Sequence, residues 1–202
     1  MAETCYVTDH KDFLNLRVEC ESIILKGERL PKMVFRSEFH FYVFERGYVT
    51  LDGFPKFLLQ MSNIYSDDAV NYITLDPDPE ASYYDQFGFF GAATFDKRDI
   101  LSKYREMMLR PDKRGSFCVV SNVGFFWGQS LNWAIFCDRV SWELCVLGCR
   151  HKLLESQIED VRFLAPNELK TFITGQYHWK PETALAFLQE FANNYLLTPC
   201  GN

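Results

Sequence analysis

The chain has 202 residues, of which 48% are hydrophobic, 24% are charged and 16% are aromatic. Aromatic side chains bury large areas, so this composition predicts a substantial core and argues against a disordered chain. The formal net charge of −6 disfavours binding to nucleic acid, which requires clustered Lys and Arg. The sequence shows neither an N-terminal signal peptide nor a run of about 18 apolar residues, so we expect no association with a membrane.

The number and spacing of the cysteines indicate the cellular compartment of the protein. The seven cysteines are an odd number, and no two of them form a Cys-x-x-Cys pair. Because the sequence also shows no export signal, this pattern predicts reduced thiols in a cytoplasmic protein.

Hydrophobic periodicity and turn residues predict the elements of the first half. Apolar residues at helical spacing after Pro55 favour a helix, since proline is well placed at the first helical position. Two prolines in Asp76-Pro77-Asp78-Pro79 cannot continue a strand, so this segment is predicted to be a rigid acidic loop. The predicted order is a short helix or strand at 12–20, a half-buried strand at 33–44, the helix after Pro55, a strand at 70–75, the acidic loop and an irregular strand at 83–95.

The second half is predicted to contain a helix, three strands and then further helices. Nearly continuous apolar runs at 132–137 and 142–147 are typical of strands inside a sheet, and the four residues between them fit a hairpin loop. The tryptophans in and beside this hairpin are interpreted first as core residues. If the Phe-Phe-Trp segment at 125–127 instead lies in the loop before the hairpin, some of its apolar surface would be available to a partner. The predicted order is a helix at 100–108, strands at 116–120, 132–137 and 142–147, and helices at 151–161, from Pro166 and from Pro181.

Strands that cluster ahead of a run of helices favour an α+β fold over a doubly wound α/β fold. We therefore predict a mainly antiparallel sheet with a central hairpin at 132–147, flanked by helices and followed by a C-terminal helical segment. No internal repeat, low-complexity tract or Gly/Ser linker is visible, so residues 1–202 are predicted to form one domain.

The distribution of charge is uneven along the chain. The segment 57–96 contains no Lys, Arg or His, although it holds several carboxylates. One interpretation is a solvated acidic surface without a partner. The other is a negative patch that attracts and holds a basic partner. The candidate residues for such a patch are Asp76, Asp78, Glu80 and Asp85, followed by Asp67 and Asp68.

No sequence pattern is typical of catalysis, a metal centre or a cofactor site. Cys145, Cys149 and His151 come closest to a zinc site, but the strand predicted at 142–147 disfavours a cluster of all three. The alternating acids at 76, 78 and 80 lack the glycine and the closing Glu of a calcium loop. Segment 128–132 lacks the final glycine of a nucleophile elbow, and no glycine-rich phosphate loop occurs. We therefore expect a protein that is not an enzyme and has no metal or cofactor.

A recognisable pattern runs between residues 72 and 148. Its segments are Tyr72–Pro79, Tyr83-Tyr84, Gly91, Asn132–Ile135, Asp138-Arg139 and Trp142–Gly148. This pattern resembles a group of small bacterial cytoplasmic proteins, some of which are similar to immunity proteins against polymorphic or contact-delivered toxins. The resemblance implies a stoichiometric inhibitor that acts without catalysis.

The acidic segment suggests a mechanism for such an inhibitor. Many toxin domains are nucleases with basic clefts, and an acidic surface would fill such a cleft by mimicking phosphate charge. In this hypothesis the hairpin residues Trp133, Asp138, Arg139 and Glu143 hold the fold, with Arg139 paired to the two acids across the turn. Two other readings stay open: a different cytosolic interaction module, such as a chaperone or adaptor, and a hydrolase that uses unrecognised carboxylates or a Cys–His pair.

Overall fold

The computed structural model describes residues 5–36, 38–109, 116–153, 158–175 and 180–196, with the backbone alone at 109, 118 and 119. The chain is an α+β protein, as predicted. The helices are α1 His10–Ile23, α2 Gly53–Tyr65, α3 Tyr84–Phe87, α4 Ile100–Leu109, α5 Phe117–Val120, α6 Pro166–Gly175 and α7 Pro181–Phe191. The strands are β1 His40–Glu45, β2 Ala69–Asp76, β3 Ala92–Asp96, β4 Val123–Gly128, β5 Trp133–Asp138 and β6 Leu144–Cys149.

The six strands form one antiparallel sheet in the order β1-β6-β5-β4-β2-β3. The predicted hairpin is present as β5 and β6, which pair from Trp133 opposite Cys149 to Asp138 opposite Leu144. Both strands lie inside the sheet, because β1 flanks one side of the hairpin and β4 flanks the other. The assignment of residues 1–202 to a single domain stays a prediction.

Helices cover both faces of the sheet and create two separate cores. The helices α2 and α4 pack on one face, and α1, α6 and α7 pack on the other. Along β4, Phe126 joins the first core, whereas Phe125 and Trp127 join the second. Alternate side chains of a strand point to opposite faces, so two covered faces require apolar residues at consecutive positions.

Two hydrogen bonds attach α1 to its face of the sheet. The carboxylate of Glu19 accepts from Trp127 Nε1 at 3.1 Å and from Asn71 Nδ2 at 3.3 Å. Asp9 caps the start of this helix by accepting from the backbone N–H groups of Lys11 and Asp12. The segment 12–20, which fitted either a helix or a strand, is therefore helical.

The strand predicted at 116–120 is wrong. Residues 117–120 form the single helical turn α5, and β4 begins at Val123. The aromatic residues 125–127 therefore lie inside a strand, and each is at most 1% exposed. The interpretation of Trp127 as a core residue is confirmed, and the alternative of an exposed loop that recognises a partner is wrong.

Two other boundaries differ from the prediction. The strand predicted at 33–44 begins only at His40, because the chain before it forms an irregular segment bridged at Phe35 to Ile24. The described parts of the helix predicted at 151–161, residues 151–153 and 158–161, are not helical. The helices that begin at Pro166 and Pro181 are confirmed.

The loop between β5 and β6 is organised by a buried carboxylate. Asp138 is fully buried, and its Oδ1 accepts a hydrogen bond of 2.8 Å from the backbone N–H of Ser141. Arg139 donates from Nη2 to Asn122 Oδ1 at 3.1 Å. The pairing of Arg139 with Asp138 and Glu143 is thus wrong, because the described salt bridges include neither pair. Burial raises the pKa of the Asp138 carboxyl.

We expect the Asp138→Asn variant to lose a pH dependence of stability. Because burial raises the pKa of this carboxyl in the folded state, the folded protein takes up the proton more readily than the unfolded chain does. The contribution of Asp138 to the free energy of unfolding therefore falls as the pH rises above about 4. Urea unfolding of both proteins from about pH 4 to about pH 7 measures the difference. A difference that stays constant across this range would contradict the prediction.

Candidate partner-binding site

The six candidate carboxylates lie at the two ends of strand β2. Asp67 and Asp68 precede the strand, Asp76 is its last residue, and Asp78, Glu80 and Asp85 follow it. A strand rises about 3.3 Å per residue, so the two groups are separated by roughly 25 Å. The carboxylates of the cation-free segment therefore do not form one patch.

Asp67 is a structural residue, and its predicted role at a partner surface is wrong. The residue is 3% exposed. Its Oδ2 accepts from Trp133 Nε1 at 2.7 Å, and its Oδ1 accepts from the backbone N–H of Ser130 at 2.6 Å. A Cβ at Gly128 would lie 2.0 Å from Asp67 Oδ2, so the strand needs glycine beside this carboxylate. Asp68, by contrast, is exposed.

Basic side chains from the N-terminal part of the chain lie beside two of the remaining acids. Arg29 Nη2 lies 2.6 Å from Asp76 Oδ2. Arg17 Nη1 lies 3.9 Å from Glu80 Oε2, and His10 Nε2 lies 3.2 Å from Glu80 Oε1. The segment 57–96 contains no basic residue of its own, but basic residues from elsewhere in the chain lie beside Asp76 and Glu80. The premise of a wholly unpaired acidic surface is therefore wrong at these two residues.

Residues 78–90, which we call the acidic–aromatic loop, have a fixed backbone. Asp78 Oδ1 accepts from the backbone N–H groups of Glu80 and Ala81 at 3.0 and 2.9 Å. The Gly91 N–H donates to the Pro79 carbonyl at 2.7 Å and closes the loop at its base. The Phe90 N–H donates to the Val7 carbonyl, which ties the loop to the N-terminal segment. These bonds order the loop before any partner arrives.

Glycine is required at the base of the loop. The Tyr83 side chain is fully buried below the loop, and a Cβ at Gly91 would lie 2.8 Å from its ring. The Thr74 hydroxyl donates to the Tyr83 hydroxyl at 3.4 Å, which joins the ring to strand β2. Close packing at this point therefore sets the position of the loop on the sheet.

Aromatic rings support the exposed tip of the acidic–aromatic loop. Phe13 stacks on Phe90 with centroids 4.4 Å apart, and Phe90 stacks on Tyr84 at 4.6 Å. Phe13 and Phe90 are buried, whereas Tyr84 is 46% exposed. Asp78 and Asp85 in the same loop are exposed. The loop thus presents an aromatic ring on a rigid base, together with two carboxylates.

A cavity of about 290 Å³ lies beside this loop, between α1, the segment 24–29 and the end of β2. Its walls include apolar residues from the core that α1 covers and charged residues at the rim. The apolar residues are Cys20, Ile24, Leu25, Ile73, Leu75, Val123 and Phe136, and the charged ones are Arg17, Glu21, Lys26, Glu28, Arg29, Asp76 and Asp78. Asp78 and Pro79 belong to both the cavity wall and the loop.

The structure shows how potential metal ligands and cysteine thiols are arranged. Within the described residues, no group of three or more His, Cys, Asp or Glu side chains is arranged to hold a metal ion. Cys145 lies opposite Cys137 in the hairpin, with their Sγ atoms 3.0 Å apart. Burial raises the pKa of the Cys145 thiol well above its ordinary value.

None of the helices in the described ranges combines the length and apolar character of a membrane span. No family model, curated protein or solved structure matches the chain.

Sequence reasoning missed the residues that balance the acidic segment. His10, Arg17 and Arg29 lie at least 47 positions from their acidic partners. The sequence carries no signal for these pairs, because they form only when α1 packs against β2. The aromatic support was visible only as a composition bias, since stacking of Phe13 on Phe90 also depends on this packing.

We expect Asp67→Ala to lower the free energy of unfolding by about 2–4 kcal/mol, because it leaves the buried Trp133 indole N–H without an acceptor and also removes the acceptor of the Ser130 N–H. The neighbouring exposed carboxylate is the matched control, and Asp68→Ala is expected to change the free energy by no more than about 0.5 kcal/mol. Urea unfolding followed by Trp fluorescence measures both. Equal effects of the two substitutions would contradict the structural role of Asp67.

Proposed function

We propose that this chain is a cytosolic binding protein that neutralises a basic bacterial toxin domain by forming a stoichiometric complex with it. The acidic–aromatic loop, residues 78–90, is the contact surface in this proposal. Support comes from the resemblance of segment 72–148 to proteins similar to toxin immunity proteins, and from the geometry of the loop itself.

The observation that carries the proposal is the exposed Tyr84 ring on its buried aromatic base. Tyrosine is favoured at the energetic centres of protein interfaces, because it buries a large area and loses little rotamer entropy. The ring is held by Phe90, and the loop backbone is held by internal hydrogen bonds. A loop that is ordered in advance loses less entropy on binding.

The two exposed carboxylates give the loop its preference for a basic partner. Asp78 and Asp85 flank Tyr84 in sequence and are exposed. Exposed charges accelerate the encounter with an oppositely charged protein, and salt screens this effect. An Arg or Lys side chain placed over the Tyr84 ring would add a cation–π contact. In this division of roles, the carboxylates act on association and Tyr84 acts on the lifetime of the complex.

Asp76 and Glu80 have a smaller part in the proposal than the sequence suggested. Arg29 and Arg17 lie beside their carboxylates, so much of their charge is balanced within the chain. Asp68 lies at the opposite end of β2 and outside the loop. The proposed phosphate-like charge is therefore limited to Asp78 and Asp85.

The proposal predicts that a toxin domain is encoded next to this chain, and the test measures association and dissociation rates with that domain at several salt concentrations. We expect the double variant Asp78→Asn/Asp85→Asn to associate about tenfold more slowly at low salt, and to depend less on salt. Tyr84→Ala is expected to raise the dissociation rate about tenfold or more. Asparagine keeps the oxygen that accepts the loop hydrogen bonds, so the fold of the double variant is preserved.

Asp68→Asn is the matched control, and it is expected to associate like the wild type. A rate that falls equally in the control and the double variant would move the interface away from the loop. A neighbouring toxin that this chain neither binds nor neutralises when the two are coexpressed would overturn the proposed function.

A further inference from the structure

The cavity beside the acidic–aromatic loop has a neutral, apolar floor. Ile24, Ile73, Val123 and Phe136 line it, and each is at most 4% exposed. Cys20 also contributes to the floor, and burial raises the pKa of its thiol, so the sulfur stays uncharged at neutral pH. Such a floor favours an apolar group over a polar one.

Apart from Asp78, the charges at the rim are already in ion pairs. Arg17 Nε and Lys26 Nζ lie 3.3 and 3.2 Å from Glu21 Oε1. Arg29 lies 2.6 Å from Asp76, and Lys32 lies 3.1 Å from Glu28 just outside the rim. Except at Asp78, a charged ligand would have to break one of these pairs to gain its own. The rim therefore favours an uncharged group that passes between the pairs.

The volume of about 290 Å³ lies at the lower end of the range of ligand pockets, which is roughly 300–1,000 Å³. It is suited to a single large side chain. Buried aromatic side chains that fill such pockets are frequent anchors of protein complexes. We propose that the cavity receives one aromatic side chain, from a basic segment of the partner protein.

This inference rests on the proposed function and adds a second contact to it. Asp78 and Pro79 line the cavity and also begin the acidic–aromatic loop, so one partner segment can reach both. The exposed carboxylate of Asp78 stands at their shared edge, where it favours Arg or Lys next to the inserted ring. The partner thus offers an aromatic residue with basic neighbours in sequence.

The cavity can be tested on the isolated protein with small probes. N-acetyl-tryptophanamide carries the ring with the neutral backbone of a residue inside a chain, N-acetyl-alaninamide lacks the ring, and free tryptophan adds two charges. In titrations followed by ¹H–¹⁵N and methyl NMR, we expect N-acetyl-tryptophanamide to give saturable shifts at Ile24 and Ile73. N-acetyl-alaninamide is expected to give none, and free tryptophan is expected to bind no better than the amide.

Substitutions that fill the cavity provide the second arm. Leu25 and Leu75 are half-buried lining residues on different elements, so Leu25→Trp and Leu75→Trp each fill the cavity from a different wall. Either variant that retains the wild-type spectrum elsewhere is expected to lose the probe shifts. Val18→Trp is the matched control, because Val18 is 69% exposed on α1 and does not line the cavity.

Three outcomes of the probe titrations would overturn the inference. One is the absence of saturable shifts, and another is unchanged binding to a folded cavity-filled variant. The third is tighter binding of free tryptophan than of the amide, which would indicate a site for a small metabolite. With the toxin domain in hand, the filled variants should bind it at least about tenfold more weakly. If the cavity-filled variants bind the toxin domain as tightly as the wild type does, this inference alone is overturned. If the protein binds the probe but no toxin, the proposed function is overturned.

Discussion

Helices cover both faces of the six-stranded sheet, so each interior strand places apolar side chains in both directions. This constraint accounts for the consecutive buried residues of β4, β5 and β6. It also explains why two carboxylates beside the sheet accept hydrogen bonds from buried indoles. Asp67 binds the Trp133 indole, and Glu19 on α1 binds the Trp127 indole. Buried tryptophan needs such an acceptor, so these carboxylates follow from the aromatic core.

The same constraint decides where charge is available. The carboxylates of Asp67 and Asp138 are buried and accept hydrogen bonds within the protein. Carboxylates at the end of β2 meet cations from the N-terminal helix and the segment after it. The loop that extends beyond the strand keeps exposed acids beside an exposed ring. The sequence alone does not distinguish buried, ion-paired and exposed carboxylates, although their chemistry differs.

Much of the fold follows from local patterns in the sequence. The β5–β6 hairpin, the helix near Pro55 and the helices at Pro166 and Pro181 have periodicity or turn chemistry that no distant residue overrides. Strand β4 was missed because Gly124 and the polar residues before it are typical of a turn. Its glycine is instead required by tertiary packing, since a Cβ there would lie 2.8 Å from the Tyr72 hydroxyl. The candidate site was predicted only in part, because Asp78 and Asp85 are local features whereas the pairing of Asp76 with Arg29 is not.

The way the acidic–aromatic loop is anchored has an evolutionary consequence. Main-chain hydrogen bonds and the contact of Gly91 with Tyr83 fix its backbone, and neither depends on the side chains of Tyr84 or Asp85. Under the proposed function, Tyr84 and Asp85 would contact the partner without fixing the loop, whereas the Asp78 carboxylate has both roles. Exchange of the outward side chains can redirect such a loop toward a new target while the scaffold keeps its stability.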